Sequence, residues 1–187
     1  MKFCGECGAL NERRIPEGDN RERDVCTACG TIFYSNPKNV CGCILEHEGK
    51  ILLCKRAIEP RYGYWTVPAG FMENNETTAE GAARESLEEA NARSTDLQLY
   101  ALYSLPRISQ VYIMYRGTLR DGAAEAGIES LEVGLFDESE IPWDDLAFPV
   151  VIESLQRYFE DRKTGQFGVH RADIHSRAGQ AIQVVRY

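Results

Sequence analysis

The stretch Gly70–Ala92, GFMENNETTAEGAARESLEEANA, decides how this chain is read. Between Gly70 and Asn91 it holds six glutamates and one arginine, on a protein whose formal charge is already -8. Thr77-x-x-Glu80 has the form of a capping box, in which a hydroxyl and a carboxyl each satisfy a free backbone N–H of the other residue. A helix therefore starts near Thr78. At about 100° per residue, Ala79, Ala82, Ala83, Ser86, Leu87 and Ala90 share one face, and Glu85, Glu88 and Glu89 crowd the opposite one. Glu85 and Glu89 form a like-charge i,i+4 pair, which weakens an isolated helix by roughly 0.2–0.5 kcal/mol. Gly81, on the same side, costs a further ~1 kcal/mol relative to alanine. A helix built only for stability would carry lysines there. The acids form either a solvated face or a cluster of hard oxygen donors suited to Mg²⁺ or Mn²⁺. Arg84 can orient one of them as a fork.

Around this segment the chain alternates strand-like and helix-like runs. NVCGCILEHEGKILLCKR reads as two β-rich segments joined by a Gly-containing turn at His47–Lys50. LQLYALYSL, QVYIMYRGTL and VGLFD read as further strands. RDGAAEAGIESLE reads as an exposed loop. A late helix is expected over about 149–162, with Pro149 in its first turn, where a missing N–H is tolerated. Beyond Lys163 the tail is polar and aperiodic. This order predicts an α/β layered domain.

The N-terminal end reads differently. Cys4-x-x-Cys7 and Cys26-x-x-Cys29 each run into a glycine, giving two similar knuckles, CGECG and CTACG. Four thiolates in two such pairs match tetrahedral zinc. About 36 residues have too small a core to fold without metal, so zinc there supplies folding energy. Cys41, Cys43 and Cys54 lie in apolar segments and read as buried small hydrophobes. The start MKFCGECGALNERR has no apolar h-region, and no run approaches the ~20 apolar residues of a membrane span. A cytoplasmic location is the expectation.

Gly70, Glu76, Arg84, Glu85, Glu88 and Glu89 fit the pattern G-x5-E-x7-R-E-x-x-E-E. That pattern resembles the Nudix box of the Nudix hydrolases. The departures are Ser86, where an aliphatic residue is usual, and Asn91, where glycine is usual. The resemblance implies a Nudix α/β/α sandwich and a metal-dependent diphosphatase in which water attacks phosphorus. It implies that Glu85 and Glu89 ligate Mg²⁺ or Mn²⁺, that Glu88 is a third ligand or handles water, and that Glu76 pairs with Arg84. A later carboxylate often joins them. Glu132 ranks first, Glu129 second, and Glu125 is the remaining candidate. With the ribbon, residues 1–36 form the zinc module, 37–165 the Nudix domain and 166–187 a tail. The knuckles, NPKNVCGCILEHEGKILLCKR, YWTVPAGFMENNE, ESLEVGLFDESEIP and LAFP together look closer to the plant-type FAD and ADP-ribose diphosphatases than to the NADH diphosphatases. SLPRISQVY does not match the SQPWPFPxS-type motif of NADH diphosphatases.

Arg56, Arg61 and Arg107 are candidates for phosphate contact. Tyr64, Trp65, Phe71 and Tyr112 are candidates to stack a ring, although Trp65 and Phe71 also suit a core. Ser109 and Gln110 lie where relatives set specificity. The rival class is a nucleic-acid-binding ribbon. Residues 1–40 hold six basic and six acidic residues, and such binding needs excess positive charge. A small-molecule nucleotide substrate and a homodimer, paired through the ribbon region as in relatives, are the expected partners.

Overall fold

Residues 1–176 and 181–187 are described in the computed structural model of this chain, which divides into two compact units, Met1–Asn36 and Pro37–Tyr187. In the first unit, β1 (Asn11–Arg14), β2 (Arg23–Cys26) and β3 (Ile32–Phe33) form a small antiparallel sheet. The two knuckles repeat one geometry. The Gly8 N–H donates to the Cys4 carbonyl at 3.0 Å, and the Gly30 N–H to the Cys26 carbonyl at 3.2 Å. Cys4, Pro16, Val25 and Cys26 are the buried residues of this unit, so half of its interior is cysteine.

The second unit follows β4 (Lys38–His47), β5 (Lys50–Arg56), β6 (Trp65–Thr66), β7 (Ala69–Phe71), α1 (Thr78–Ala90), β8 (Ser94–Leu105), β9 (Gln110–Leu119), β10 (Ser130–Phe136), α2 (Pro149–Thr164), β11 (His170–His175) and β12 (Gln183–Arg186). The sheet order is β10-β5-β4-β9-β8-β11-β12, with β6 on β5 and β7 on β4. Two neighbouring pairs are parallel, β4 with β9 and β8 with β11.

Alternation along the strands sends side chains to two separate cores. Cys41, Cys43 and Leu45 of β4, with Leu52 and Cys54 of β5, pack with Ala82 and Ala90 of α1. Ile44, Ile51, Leu53, Tyr103 and Met114 pack on the other face with Val151, Leu155 and Phe159 of α2. Successive residues of a strand face opposite ways, so a sheet with a helix on each face needs apolar residues at nearly every position. That is why β4 and β5 read as continuous apolar runs. The result is the expected α/β/α sandwich.

The β4–β5 hairpin does not stay paired. Register holds at Glu46↔Ile51 and His47↔Lys50; then β4 turns to β7, and β5 to β6. The sheet forks there, and Val67-Pro68 lies in the fork, where Pro68 accepts the Cys43 N–H at 3.0 Å.

Two expectations change. The buried stripe of α1 is Gly81, Ala82, Glu85, Ser86, Glu89 and Ala90, whereas Leu87 is 49% exposed. The helix is turned so that two carboxylates lie inside. The tail beyond Lys163 is not structureless: β11 and β12 extend the sheet. In HRADIH only Ala172 and Ile174 face α2, too few apolar residues to read as a strand. The chain end is also held by Arg186, whose guanidinium donates to both oxygens of buried Glu153 on α2, at 2.8 and 2.7 Å. Among the described residues no helix is long and apolar enough to cross a membrane.

Candidate active site

Helix α1 begins as its capping box requires. The Glu80 N–H donates to Thr77 Oγ1 at 3.3 Å, and the Thr77 N–H to Glu80 Oε2 at 2.7 Å. It ends at Asn91 in the left-handed region (φ 47°), which asparagine tolerates well. The loop before β10 then closes over the helix end. The Glu125 N–H donates to the Ala90 carbonyl at 2.8 Å and the Gly127 N–H to the Glu89 carbonyl at 2.9 Å. A Cβ on Gly127 would overlap the Glu88 carbonyl, so only glycine permits this approach.

Arg84 organises the acids. Its Nε and Nη2 donate to both oxygens of Glu76 at 3.0 and 2.9 Å, its Nη1 to Glu85 Oε1 at 2.7 Å and Glu88 Oε2 at 2.9 Å, and its Nη2 also to the Phe71 carbonyl at 3.0 Å. The Arg84 guanidinium holds the Glu76 carboxyl down at about 2. Glu89 is held differently, by the backbone N–H of Ala69 donating to its Oε2 at 3.1 Å. Glu85, Glu88 and Glu89 thus each have one oxygen fixed by the protein, and the other has no hydrogen-bond partner among the described residues.

Burial dominates the electrostatics. Glu85 is 7% exposed and Glu89 5%. Burial pushes the Glu85 carboxyl up, with Arg84 opposing it. Burial pushes Glu89 up to about 8; the Ala69 N–H opposes this, and the nearby Glu85 and Glu129 charges add to it. A carboxylate is costly to bury unless a cation offsets it. Arg84 is the only cation bonded to the cluster among the described residues, and it does not reach Glu89.

Gly70 is where the fork and the helix meet. A Cβ there would overlap the Glu85 carboxylate. Gly70→Ala is expected to displace that carboxylate and lower kcat/KM by about 10²-fold, as misplacements of ~1 Å do. Steady-state kinetics beside an unchanged circular dichroism spectrum check this; a wild-type rate would show that the carboxylate position is not critical.

The Ser86 departure is absorbed locally. Ser86 Oγ donates to the Ala82 carbonyl at 2.9 Å and lies 2.7 Å from Cys43 Sγ. Burial pushes the Cys43 thiol up to about 12, so it stays a neutral partner. Cys41 and Cys54 are likewise buried.

The remaining candidates separate. Arg56 is buried, donates through Nε to the Pro60 carbonyl at 3.0 Å, lies 5.1 Å from the Phe148 ring centroid, and makes no ion pair among the described residues. Its charge acts on both Glu89 and Tyr112. Trp65 is in the α2 core, edge-on to Phe136 at 4.9 Å. Phe71 is exposed, with Lys38 Nζ 4.6 Å from its ring centroid. Gln110 is half-buried beside Lys38. Arg61 stacks on Tyr64, and Arg107 donates to the Ser176 carbonyl at 3.2 Å. Glu132 pairs with Lys55 at 3.6 Å. Its neighbour Val133 faces the α1 core, which sends Glu132 to the opposite face of the sheet. Glu125 is exposed. The Ala69 N–H and the Phe71 carbonyl have no side-chain signal, so sequence reasoning missed both.

In the first unit, the ligand atoms of Cys4, Cys7, Cys26 and Cys29 lie within 4.8 Å of one another. Cys4–Cys29, Cys7–Cys26 and Cys7–Cys29 Sγ separations are 3.7, 3.4 and 3.6 Å. Sulfurs ~2.3 Å from a tetrahedral zinc would be about 3.8 Å apart, whereas a disulfide is ~2.05 Å. Backbone N–H groups of Glu6, Ala28 and Cys29 point at the sulfurs at 3.4 Å. The donor set fits zinc.

Comparison with known proteins places these features. Residues 2–35 match the Nudix N-terminal zinc ribbon and residues 35–150 the NUDIX domain. An ADP-ribose pyrophosphatase of Methanocaldococcus jannaschii is 32% identical over 114 residues, 59% of this chain and 68% of that protein. A NAD-capped RNA hydrolase NudC of Vibrio atlanticus is 31% identical over 54% of this chain, but the match spans only 35% of that relative. The crystal structure of a NUDIX hydrolase from Nitrosomonas europaea is 57% identical, with a TM-score of 0.87 over 92% of this chain and 99% of that one. Ribbon, fork and carboxylate-bearing helix together make this chain a member of the Nudix hydrolases, a metal-dependent diphosphatase with an N-terminal zinc ribbon.

Proposed function

We propose that the chain hydrolyses the diphosphate of a nucleoside diphosphate derivative such as FAD or ADP-ribose, with water attacking phosphorus and AMP released. The observation that carries this reading is the pair of buried acids, Glu85 and Glu89, each with one oxygen fixed and one free. Bound Mg²⁺ or Mn²⁺ would neutralise the diphosphate and lower the pKa of a bound water. Glu85 and Glu89 would hold the ions, with Glu88 as a third ligand or water-handling group. Arg84 is a positioning residue, fixing Glu85 and Glu88 while Glu76 fixes it. Among the later carboxylates Glu129 is preferred to Glu132, because its charge acts on both Glu85 and Glu89 while Glu132 lies across the sheet.

Arg56, buried and without an ion pair among the described residues, is assigned to the substrate phosphates. Phe71 and Tyr112 are assigned to the ring ahead of Trp65, whose indole is packed in the core, and Gln110 to specificity. Seven cysteines, none of them in a disulfide, suit the reducing cytoplasm, and a homodimer belongs to the same reading.

A panel of FAD, ADP-ribose, NADH and dinucleoside polyphosphates, assayed with Mg²⁺, Mn²⁺ and chelator, tests it. AMP from FAD or ADP-ribose, only with metal, is the expected result. No turnover of any member would remove the proposed chemistry. Preference for NADH would favour the second reading, an NADH diphosphatase, which the NudC similarity supports and the SLPRISQVY segment opposes.

A further inference from the structure

The segment Ala123–Glu129, AAEAGIE, leads into β10 and carries Glu129. Four of its seven residues are alanine or glycine, so its own side chains give it little to hold a shape. Ala124 packs on the α1 core, whereas Ile128 is 98% exposed.

What holds the segment is the end of α1. The Glu125 N–H reaches the Ala90 carbonyl and the Gly127 N–H the Glu89 carbonyl. The last turn of α1 has no basic side chain, so these amides serve the negative end of the helix. A Cβ on Gly127 would lie 1.8 Å from the Glu88 carbonyl oxygen, which shows how tightly the segment presses on the turn that bears Glu88 and Glu89. Farther on, the Ser130 N–H donates to the Gly127 carbonyl at 3.1 Å, and the Ala57 N–H to the Glu129 carbonyl at 2.8 Å.

One side chain joins this set. Asn91 Nδ2 donates to the Glu125 carbonyl at 3.2 Å, the only side-chain hydrogen bond to residues 123–129 among the described residues. Glu125 is thereby held at both its backbone groups, the N–H by Ala90 and the carbonyl by Asn91. Glycine, usual at this position, would adopt the left-handed backbone (φ 47°) with less strain, but it has no donor to offer. Asparagine gives up the better cap and gains a tether.

We propose that Asn91 is a positioning residue for hydrolysis, locking the Ala123–Glu129 segment onto the last turn of α1 so that Glu129, Glu88 and Glu89 face the metals as one unit. This rests on the reading in which Glu129 joins the metal site, which its charge on Glu85 and Glu89 supports. Asn91 acts through the segment, since its amide bonds a backbone carbonyl and none of the carboxylates. The groups assigned to substrate binding, Arg56, Phe71, Tyr112 and Gln110, lie outside it, so its loosening should lower kcat and leave KM nearly unchanged.

Amide hydrogen exchange, melting and steady-state kinetics of the zinc-loaded full chain test this, with Mn²⁺ and the nucleotide that the panel identifies. Asn91→Gly is expected to speed exchange at the Glu125 and Gly127 amides about tenfold, as loss of one hydrogen bond does. It should lower kcat by about tenfold, keep KM within about twofold, and melt within about 4 °C of wild type. Glu129→Gln should lower kcat further while leaving those exchange rates alone. The double variant should lose no more than Glu129→Gln, because one residue acts through the other. Unchanged exchange in Asn91→Gly would overturn the tether. Faster exchange with wild-type kcat, or losses that multiply in the double variant, would overturn the positioning role. A wild-type rate in Glu129→Gln would remove Glu129 from the metal site and the positioning role with it, a failure that the exchange rates tell apart from a missing tether.

Discussion

Glu89→Gln is expected to cut hydrolysis by about 10²–10³-fold while making the metal-free protein more stable at pH 8. The first effect follows if one of two buried cation ligands is lost, since such ions supply several kcal/mol of charge stabilisation and each 1.36 kcal/mol is about tenfold in rate. The second follows from burial. The Glu89 carboxyl titrates near 8 in the folded chain against an ordinary value of 4.5. A group whose folded pKa is raised stabilises the fold fully below its unfolded value, and that stabilisation is lost as pH rises through the folded one. Between pH 4.5 and 8 the metal-free wild type should therefore lose on the order of 4 kcal/mol from this site. Glutamine can still accept the Ala69 N–H but carries no charge. In chelator, the variant and wild type should melt together near pH 5, and the variant should melt higher at pH 8. A variant that retains wild-type turnover would remove Glu89 from the metal site. Parallel melting curves at both pH values would instead show that its burial carries no electrostatic penalty.

Stripping zinc is expected to unfold residues 1–36 and leave the second unit folded. The first unit buries Val25, Pro16 and two of its own ligands, an interior too small to offset the entropy of ordering 36 residues. Structural zinc sites of this kind contribute on the order of 10 kcal/mol of apparent binding energy. Under a strong chelator at pH 7, amide protection in β1–β3 should collapse while that of β4, β5 and β9 persists, with one zinc released per chain. Ribbon amides that remain protected after metal removal would show that the unit folds by other means.

The parts of this molecule written in local chemistry were legible in advance. The capping box, the two cysteine knuckles and the proline-started second helix each depend on neighbours a few residues away, and each has the expected form. What was hidden depends on tertiary pairing. The orientation of α1, with Glu85 and Glu89 inside and Leu87 out, violates amphipathic logic because the fork in the sheet supplies glycine and backbone N–H where an apolar wall would otherwise stand. The side of the sheet on which Glu132 lies depends on the register shift between Ser130 and Glu132, which no side-chain pattern announces. Strands β11 and β12 were missed because most of the residues that face away from α2 (Arg171, Asp173, His175 and Gln183) are polar or charged.

One consequence concerns how the site can be watched. The peptide hydrogen of Ala69 ends on a carboxyl oxygen of Glu89 and not on a neighbouring strand. Its nitrogen-15 resonance should therefore move with proton or cation occupancy at the far end of that side chain. A single labelled position would act as a gauge of site loading, readable without substrate or turnover.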